Sequence, residues 1–338
     1  MDLVGFSFCN GESAIYVDMS DECGNFYTRK WIIESLKISI PKVTLVMHNA
    51  SFDLKILLWC GIEVKDIFCT LVGAQLLNEN LPFHNLKYLA EHWLKVPPDQ
   101  IRKWEEVSAD ITSPEFTNYA INDAIWAYQL YELESKQLKK QNLEHLFYNV
   151  EMPFQFVLRD LEVNGIATDQ EKLEEYKDEC FKILISLESD MLRIFDKTHI
   201  VQRDLFGGQT MDSPINFGST PQLVNCVEQL GLEIIERTKP SKTYPLGQKS
   251  VDKHTLARLK GDHEFIDLLI RYRKLSNMYN NFIGKIESFI DDDGRVRPSY
   301  NMVRTGRLSC SKPNLQNQPN PKKEKLEFNY RKIFIPGE

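Results

Sequence analysis

Two short runs of alternating character, residues 3–8 and 14–19, predict a pair of strands joined by a turn at Asn10-Gly11-Glu12. Residues 29–38 carry Trp31, Ile32, Ser35 and Leu36 at helical spacing. The apolar run 44–48 predicts a buried strand that ends in His48-Asn49-Ala50-Ser51-Phe52-Asp53. A helix follows, with Leu54, Ile56, Leu57 and Leu58 on its apolar side. Residues 67–71 predict another strand, and helical patterns occupy 71–77, 86–94 and 114–141. Strands mixed with covering helices make this first part an α/β domain. The character then changes. Val150-Glu151-Met152-Pro153 introduces a helix with Phe154, Val157, Leu158 and Leu161 at core spacing, and Asp169 is placed to cap a helix over 170–195. Residues 200–215 are polar, with Gly207-Gly208 read as a turn; a cap and short helix follow at 216–223, then helices at 254–260 and 264–281. Asp291-Asp292-Asp293-Gly294 lacks the later ligands and closing Glu of a calcium loop, and is read as a hairpin tip between 286–290 and 296–300. Three segments result: 1–141, 142–285 and 286–338.

Composition narrows the classes. The 338 residues are 42% hydrophobic and 26% charged, as in a globular protein with room for two or three domains. No apolar run is long enough to cross a membrane, and the N-terminus lacks a signal-peptide pattern. Seven scattered cysteines without a Cys-x-x-Cys pair point to free thiols, with neither a disulfide framework nor a zinc site. The net charge of −7 is uneven: residues 271–338 hold 14 Lys and Arg against 7 Asp and Glu, a net of +7, which leaves −14 on the rest. A basic C-terminal quarter behind an acidic body fits one face meeting phosphates while another hosts carboxylate chemistry.

Three places carry candidate chemistry. Arg304-Thr305-Gly306-Arg307-Leu308-Ser309, followed by Pro313-Asn314-Leu315-Gln316-Asn317, combines two arginines, a glycine and three side-chain amides. Such donors suit the minor groove of a duplex, where every base pair shows an acceptor whatever its identity. An ordinary polar loop, with amides capping nearby backbone, is the simpler reading of each residue alone. Asp53 lies at a strand-to-helix junction, where open α/β sheets place their sites, and serves equally well as a helix N-cap. Tyr119 and Asp123, four residues apart, share one helix face; alone they also suit a surface pair. Carboxylates converging from separate elements can hold two divalent metals.

Taken together, these strings resemble the family A DNA polymerases, the bacterial DNA polymerase I type. Residues 305–319 resemble the segment that holds the primer-template minor groove before the catalytic palm, which implies DNA contacts by Arg307, Asn314, Gln316 and Asn317 and by Arg304 just before them. Residues 48–53 and 119–124 resemble the second and third motifs of the 3′–5′ proofreading exonuclease domain, and His84–Leu94 as well as residues 61–64 and 74–78 follow the pattern between them. Residues 151–165 resemble the start of the polymerase domain, and Arg273 matches a phosphate-contacting arginine of the helical thumb, although Asn277 stands where relatives often carry a lysine.

The resemblance implies a fold and roles. The fold is α/β, a ribonuclease H-like exonuclease domain lacking its first strand, then a mainly helical thumb and a short β-containing entrance to the palm. Asp53 and Asp123 would be metal ligands for Mg²⁺ or Mn²⁺ in a two-metal site, with Tyr119 assisting the water. His48, Asn49 and Phe52 would lie beside the departing 3′ end, and Cys69 stands where many relatives have an acid. The family's Asp-x-Glu motif and its palm aspartates are not found in the sequence. The fold of 1–140 is therefore expected to be strained or incomplete, and the chain to be inactive alone as a polymerase. Expected partners are primer-template DNA, deoxynucleotides only if palm and fingers are supplied, and a partner chain carrying the palm, with no membrane. The implied setting is the cytoplasm of a bacterium or phage-infected host. The alternatives are a non-catalytic duplex-binding scaffold or a subunit of a split polymerase.

Overall fold

Strand β1 (Gly5–Cys9) pairs antiparallel with β2 (Ala14–Asp18), with Cys9 opposite Ala14. The Asn10 side chain shapes the turn between them, its Oδ1 accepting from the N–H groups of Glu12 and Ser13 at 3.0 and 2.8 Å. After α1 (Phe26–Ser39), β3 (Thr44–Met47) passes through α2 (Ala50–Trp59) into the parallel strand β4 (Asp66–Cys69), with Met47 opposite Cys69. This is a strand–helix–strand unit, and the chain continues through α3 (Thr70–Leu77), α4 (Leu86–His92), α5 (Trp104–Val107) and α6 (Pro114–Lys140). Helix α6 starts where Ser113 Oγ accepts from the Phe116 N–H and Pro114 fills the first turn. Its buried stripe is Phe116, Trp126, Ala127, Leu130, Glu134 and Leu138, one helical face with a carboxylate among apolar side chains. A short helix α7 (Glu144–Leu146) and a widened turn at Phe147–Glu151 lead into α8 (Met152–Asn164).

The computed structural model describes residue 3 and residues 5–19, 26–197, 200–203, 209–212, 214–242, 244–318 and 329–337, and the expected turn at Gly207-Gly208 lies outside the described residues. The chain forms two compact units, Met1–Gly165 with Arg297–Gln316, and Ile166–Val296 with Asn317–Glu338. In the first unit the core gathers Leu54, Phe68, Val72, Leu138, Phe147 and Met152 between the β3–β4 pair and its helices. Among the described residues β1–β2 and β3–β4 are separate two-stranded sheets, and α6 packs on both.

The second unit begins with β5 (Ile166–Thr168) and α9 (Gln170–Arg193), whose first turn is capped by Asp169 Oδ1 accepting from the Lys172 N–H at 2.8 Å. It continues through the β6 (Ile200–Arg203) and β7 (Gln209–Asp212) pair, α10 (Thr220–Gln229), α11 (Lys253–Arg258), α12 (Glu264–Met278), α13 (Gly284–Ile286) and β8 (Arg295–Val296). Its core packs Leu192, Phe217, Leu223, Leu256, Phe265 and Leu269. Strands β9 (Ser299–Met302) and β10 (Leu308–Ser311) form a hairpin that belongs to the first unit, and β11 (Phe334–Ile335) returns to the second to pair with β5. The strand expected over 286–290 is helical instead: α13 runs into a tight turn at Glu287–Phe289, and a lone bridge joins Ile290 to Val296. Ile283 and Ile286 are both buried, three residues apart, so the short apolar run follows the helical period. The tip is where the sequence puts it, with the Gly294 N–H donating to Asp291 O at 2.9 Å.

Candidate functional site

The carboxyl ends of parallel β3 and β4 converge, and the sequence after each strand supplies polar groups there. His48 follows β3 directly, and its Nδ1 lies 2.9 Å from Thr70 Oγ1 at the start of α3. Burial pushes its pKa down to about 4, against a hydrogen bond to the backbone of His84, so the ring is neutral near pH 7. Asn49 takes a left-handed conformation (φ 69°, ψ 58°) and turns the chain into α2. Phe52 is 53% exposed on the outer side of that helix.

Asp53 sits one turn inside α2, which begins at Ala50, so it is not the N-cap; that position belongs to Asn49. Burial raises its carboxyl to about 7, and among the described residues it has no ion pair. Cys69, at the end of β4, is a buried thiol that accepts from the Ala50 N–H at 3.4 Å, and burial raises its pKa. It packs as a small apolar residue.

A second cluster lies between α4 and α6. Lys87 Nζ is ion-paired with Asp123 Oδ1 and stands over the rings of Tyr119 (3.8 Å to the centroid) and Trp126 (4.8 Å). Burial and the nearby Asp123 carboxylate raise the pKa of the Tyr119 hydroxyl to about 12. Burial raises the Asp123 pKa against the pull of Lys87. Tyr119 and Asp123 therefore meet as their helical spacing predicts. Lys87 also lies close enough for its charge to act on His48, which brings the neighbourhoods of residues 48 and 123 together. No hydrogen bond or ion pair joins Asp53 to Asp123 among the described residues.

Among the described residues no group of three or more His, Cys, Asp or Glu side chains could hold a metal ion. The Asp123 carboxylate is ion-paired with the Lys87 ammonium.

The third candidate is the β9–β10 hairpin. Its turn is closed by Val303 N–H to Arg307 O and Gly306 N–H to Val303 O, each 2.8 Å, with Gly306 at φ +71°. Arg304 and Arg307 project from this turn and are exposed. The strands are held in place within their unit. Buried Glu162 on α8 takes both the Lys55 ammonium and, at 2.6 Å, the Tyr300 N–H; Arg297 Nε donates to Val163 O at 2.8 Å; Gln75 Nε2 donates to Met302 O at 3.2 Å. Of the amides beyond the hairpin, Gln316 spends its Nε2 on Leu308 O (3.0 Å), while Asn314 Oδ1 accepts from the Gln316 N–H at 3.1 Å. These two stabilise the local turn, and Asn317 lies in the other unit. In that unit the Arg273 guanidinium donates to Val251 O and is half-buried, whereas Arg271 and Lys274 beside it are exposed.

A cavity of about 660 Å³ in the first unit is lined by His48, Asn49, Gln75, His84, Glu151 and Tyr300, among others. Sequence reasoning did not single out Lys87, Glu134 or Glu162. Lys87 lies in the recognised string 84–94, and Glu134 falls four residues from Leu130 and Leu138 on the apolar stripe of α6, which was the available signal.

Comparison with known proteins agrees with the two-part character. Residues 196–338 match the family DNA polymerase family A, and residues 5–139 match a 3′–5′ exonuclease family. Similar proteins include the DNA polymerase I of Borreliella burgdorferi (28% identical over 99% of this chain and 35% of the relative). That of Chloroflexus aurantiacus is 30% identical over 88% of this chain and 31% of its own length. A DNA polymerase of Bacillus phage SP01 is 29% identical over 56% of this chain and 24% of the phage protein. The chain spans about a third of the length of the two bacterial relatives. The fold is similar to a solved structure of the POL domain of Pol1 from M. smegmatis in complex with a DNA primer-template and dNTP. The TM-score is 0.72 at 23% identity, over 96% of this chain and 51% of that one. No helix among the described residues is long and apolar enough to cross a membrane.

Proposed function

We propose that this chain, whose residues 196–338 match DNA polymerase family A and whose residues 5–139 match a 3′–5′ exonuclease family, binds primer-template DNA by shape and phosphate, with little sequence preference. The observation that carries this reading is the β9–β10 turn. Two exposed arginines stand on a backbone fixed by its own hydrogen bonds and by the Glu162, Arg297 and Gln75 contacts. A guanidinium held on a rigid turn reaches groove acceptors at low ordering cost. Arg271, Lys274 and the basic sequence near the C-terminus add phosphate contacts. Arg273 is given a smaller part than its exposed neighbours because Val251 O already holds it.

In this reading the segments 1–141, 142–285 and 286–338 correspond to exonuclease region, thumb and palm entrance. A deoxynucleotide is bound, in this reading, only where a palm and fingers are supplied. Within the exonuclease region, His48, Asn49 and Phe52 would meet a 3′ end. No metal-dependent step is assigned to Asp53 and Asp123, since Lys87 holds the latter.

The test is duplex binding across a salt series on several sequences. Affinity should fall steeply with salt as counterions are released. Arg307→Ala should cost roughly 1–3 kcal/mol, about equally on every sequence. Binding that is insensitive to salt and unchanged by Arg307→Ala would leave the turn as an ordinary polar loop.

A further inference from the structure

We propose that Lys87 is a resident cation that excludes divalent metal from Asp123, and that removing its ammonium opens the carboxylate to metal. The proposal is independent of the duplex-binding reading, since it concerns α4 and α6 alone. Its basis is the number of separate features that hold one ammonium in one place. The Nζ is ion-paired with Asp123 Oδ1. It lies over the faces of Tyr119 and Trp126, both on the same helix as Asp123 and on either side of it in sequence. Helix α4 delivers the side chain from a fixed start, since Asn85 Oδ1 accepts from the Tyr88 N–H at 2.9 Å and so caps the turn that contains Lys87. A mobile surface lysine makes an ion pair of little consequence; this one has three preferred neighbours around a partly buried carboxylate.

A dication cannot share that place. It would meet the ammonium at contact distance, in a site only about a quarter exposed, with side-chain exposures of 24% and 27%, where like charges repel. Its ligands would also be too few, because among the described residues no group of three or more His, Cys, Asp or Glu side chains forms around Asp123. The lysine supplies the charge compensation that a metal would otherwise provide, and does so with the three N–H donors of one ammonium. Asp123 then has a structural role, fastening α4 to α6, and its neighbour Tyr119 is held in place as part of the same box.

The test uses Mn²⁺ as the probe, titrated into the full chain and followed by electron paramagnetic resonance of the free ion. The wild type should bind Mn²⁺ no better than Asp123→Asn. Lys87→Asp should bind it more tightly by roughly 10–100-fold, the range by which one neighbouring group changes metal affinity, and Asp123→Asn added to it should abolish the gain. Lys87→Gln, which keeps the length and removes the charge, should show the same direction with a smaller gain. A measurement on the wild type alone guards against misfolded variants: with lysines labelled at ¹³Cε, Mn²⁺ should leave the Lys87 resonance unbroadened. Broadening of Lys87 at low Mn²⁺, a wild-type affinity that Asp123→Asn removes, or a folded Lys87→Asp with no gain would each overturn the proposal.

Discussion

Glu134 offers a direct test of the packing between α3 and α6. It is 0% exposed, neither carboxyl oxygen has a hydrogen-bond partner among the described residues, and it lies against Gly73. Burial raises its pKa well above the ordinary carboxyl value of 4.5. The folded protein therefore holds a proton there that the unfolded chain releases. The stability contribution is fully present below about 4.5 and declines as pH rises toward the folded pKa, by up to about 1.4 kcal/mol per pH unit. Replacing the carboxyl with a similar apolar volume, Glu134→Leu, removes this slope. It also removes a buried polar group without a partner, which costs about 1–3 kcal/mol even when neutral. The variant should be more stable than the wild type by about that amount at acid pH, with the advantage widening as pH rises. For a unit of this size, each kcal/mol corresponds to about 2–4 °C in Tm. Urea denaturation at a series of pH values measures it. The difference between variant and wild type isolates Glu134 from His48, whose lowered pKa works the other way as pH falls below 6.5. A difference that is flat with pH, or a variant less stable throughout, would refute the account.

Other outcomes follow from the same contacts. A methyl group at Gly73 would collide with Glu134 Oε2, so Gly73→Ala should cost about 1–3 kcal/mol, and little in a Glu134→Ala background where the collision is gone; thermal melts of the four proteins show whether the two sites couple. Asp53, raised from 3.8 to about 7, adds a further decline of stability between those two pH values that levels off above about 7, and Asp53→Asn should remove that part of the pH profile in denaturant titrations. Glu162→Ala leaves the Lys55 ammonium and the Tyr300 N–H without their acceptor; a loss of about 1–3 kcal/mol and faster hydrogen exchange at Tyr300 are expected, and unchanged exchange there would show that Glu162 does not fasten the hairpin.

What was legible in the sequence follows from which contacts are local. Tyr119 and Asp123 could be paired because both lie on one helix, and the junction of β3 with α2 announced His48 and Asn49 through an apolar run ending in polar residues. Lys87 could not be paired with Asp123 on such grounds, since the two belong to different helices and any exposed lysine fits the pattern of α4. The amide of Gln316 suited a groove on composition, yet the nearby Leu308 carbonyl takes it, a competition that only geometry settles. Arg273 is similar: the helical pattern of α12 leaves the aim of a long side chain open, and Val251 O lies within its reach. Residues 286–290 failed for another reason, because a short apolar run suits either period and the buried spacing of Ile283 and Ile286 decided it.

The separation of β1–β2 from β3–β4 has a bearing on how the first unit opens. Neither pair borrows backbone hydrogen bonds from the other among the described residues, while α6 packs on both. The helix is thus the common support of two otherwise independent ribbons. Amide protons of the β1–β2 ribbon, a lone hairpin with an open edge, should exchange through a small local opening that leaves β3 and β4 protected. Those of α6 around Leu130 and Leu138 should exchange only when the whole unit unravels. The 27 residues of α6 set the size of the cooperative block, and the ribbon at its edge is the part that can come away alone.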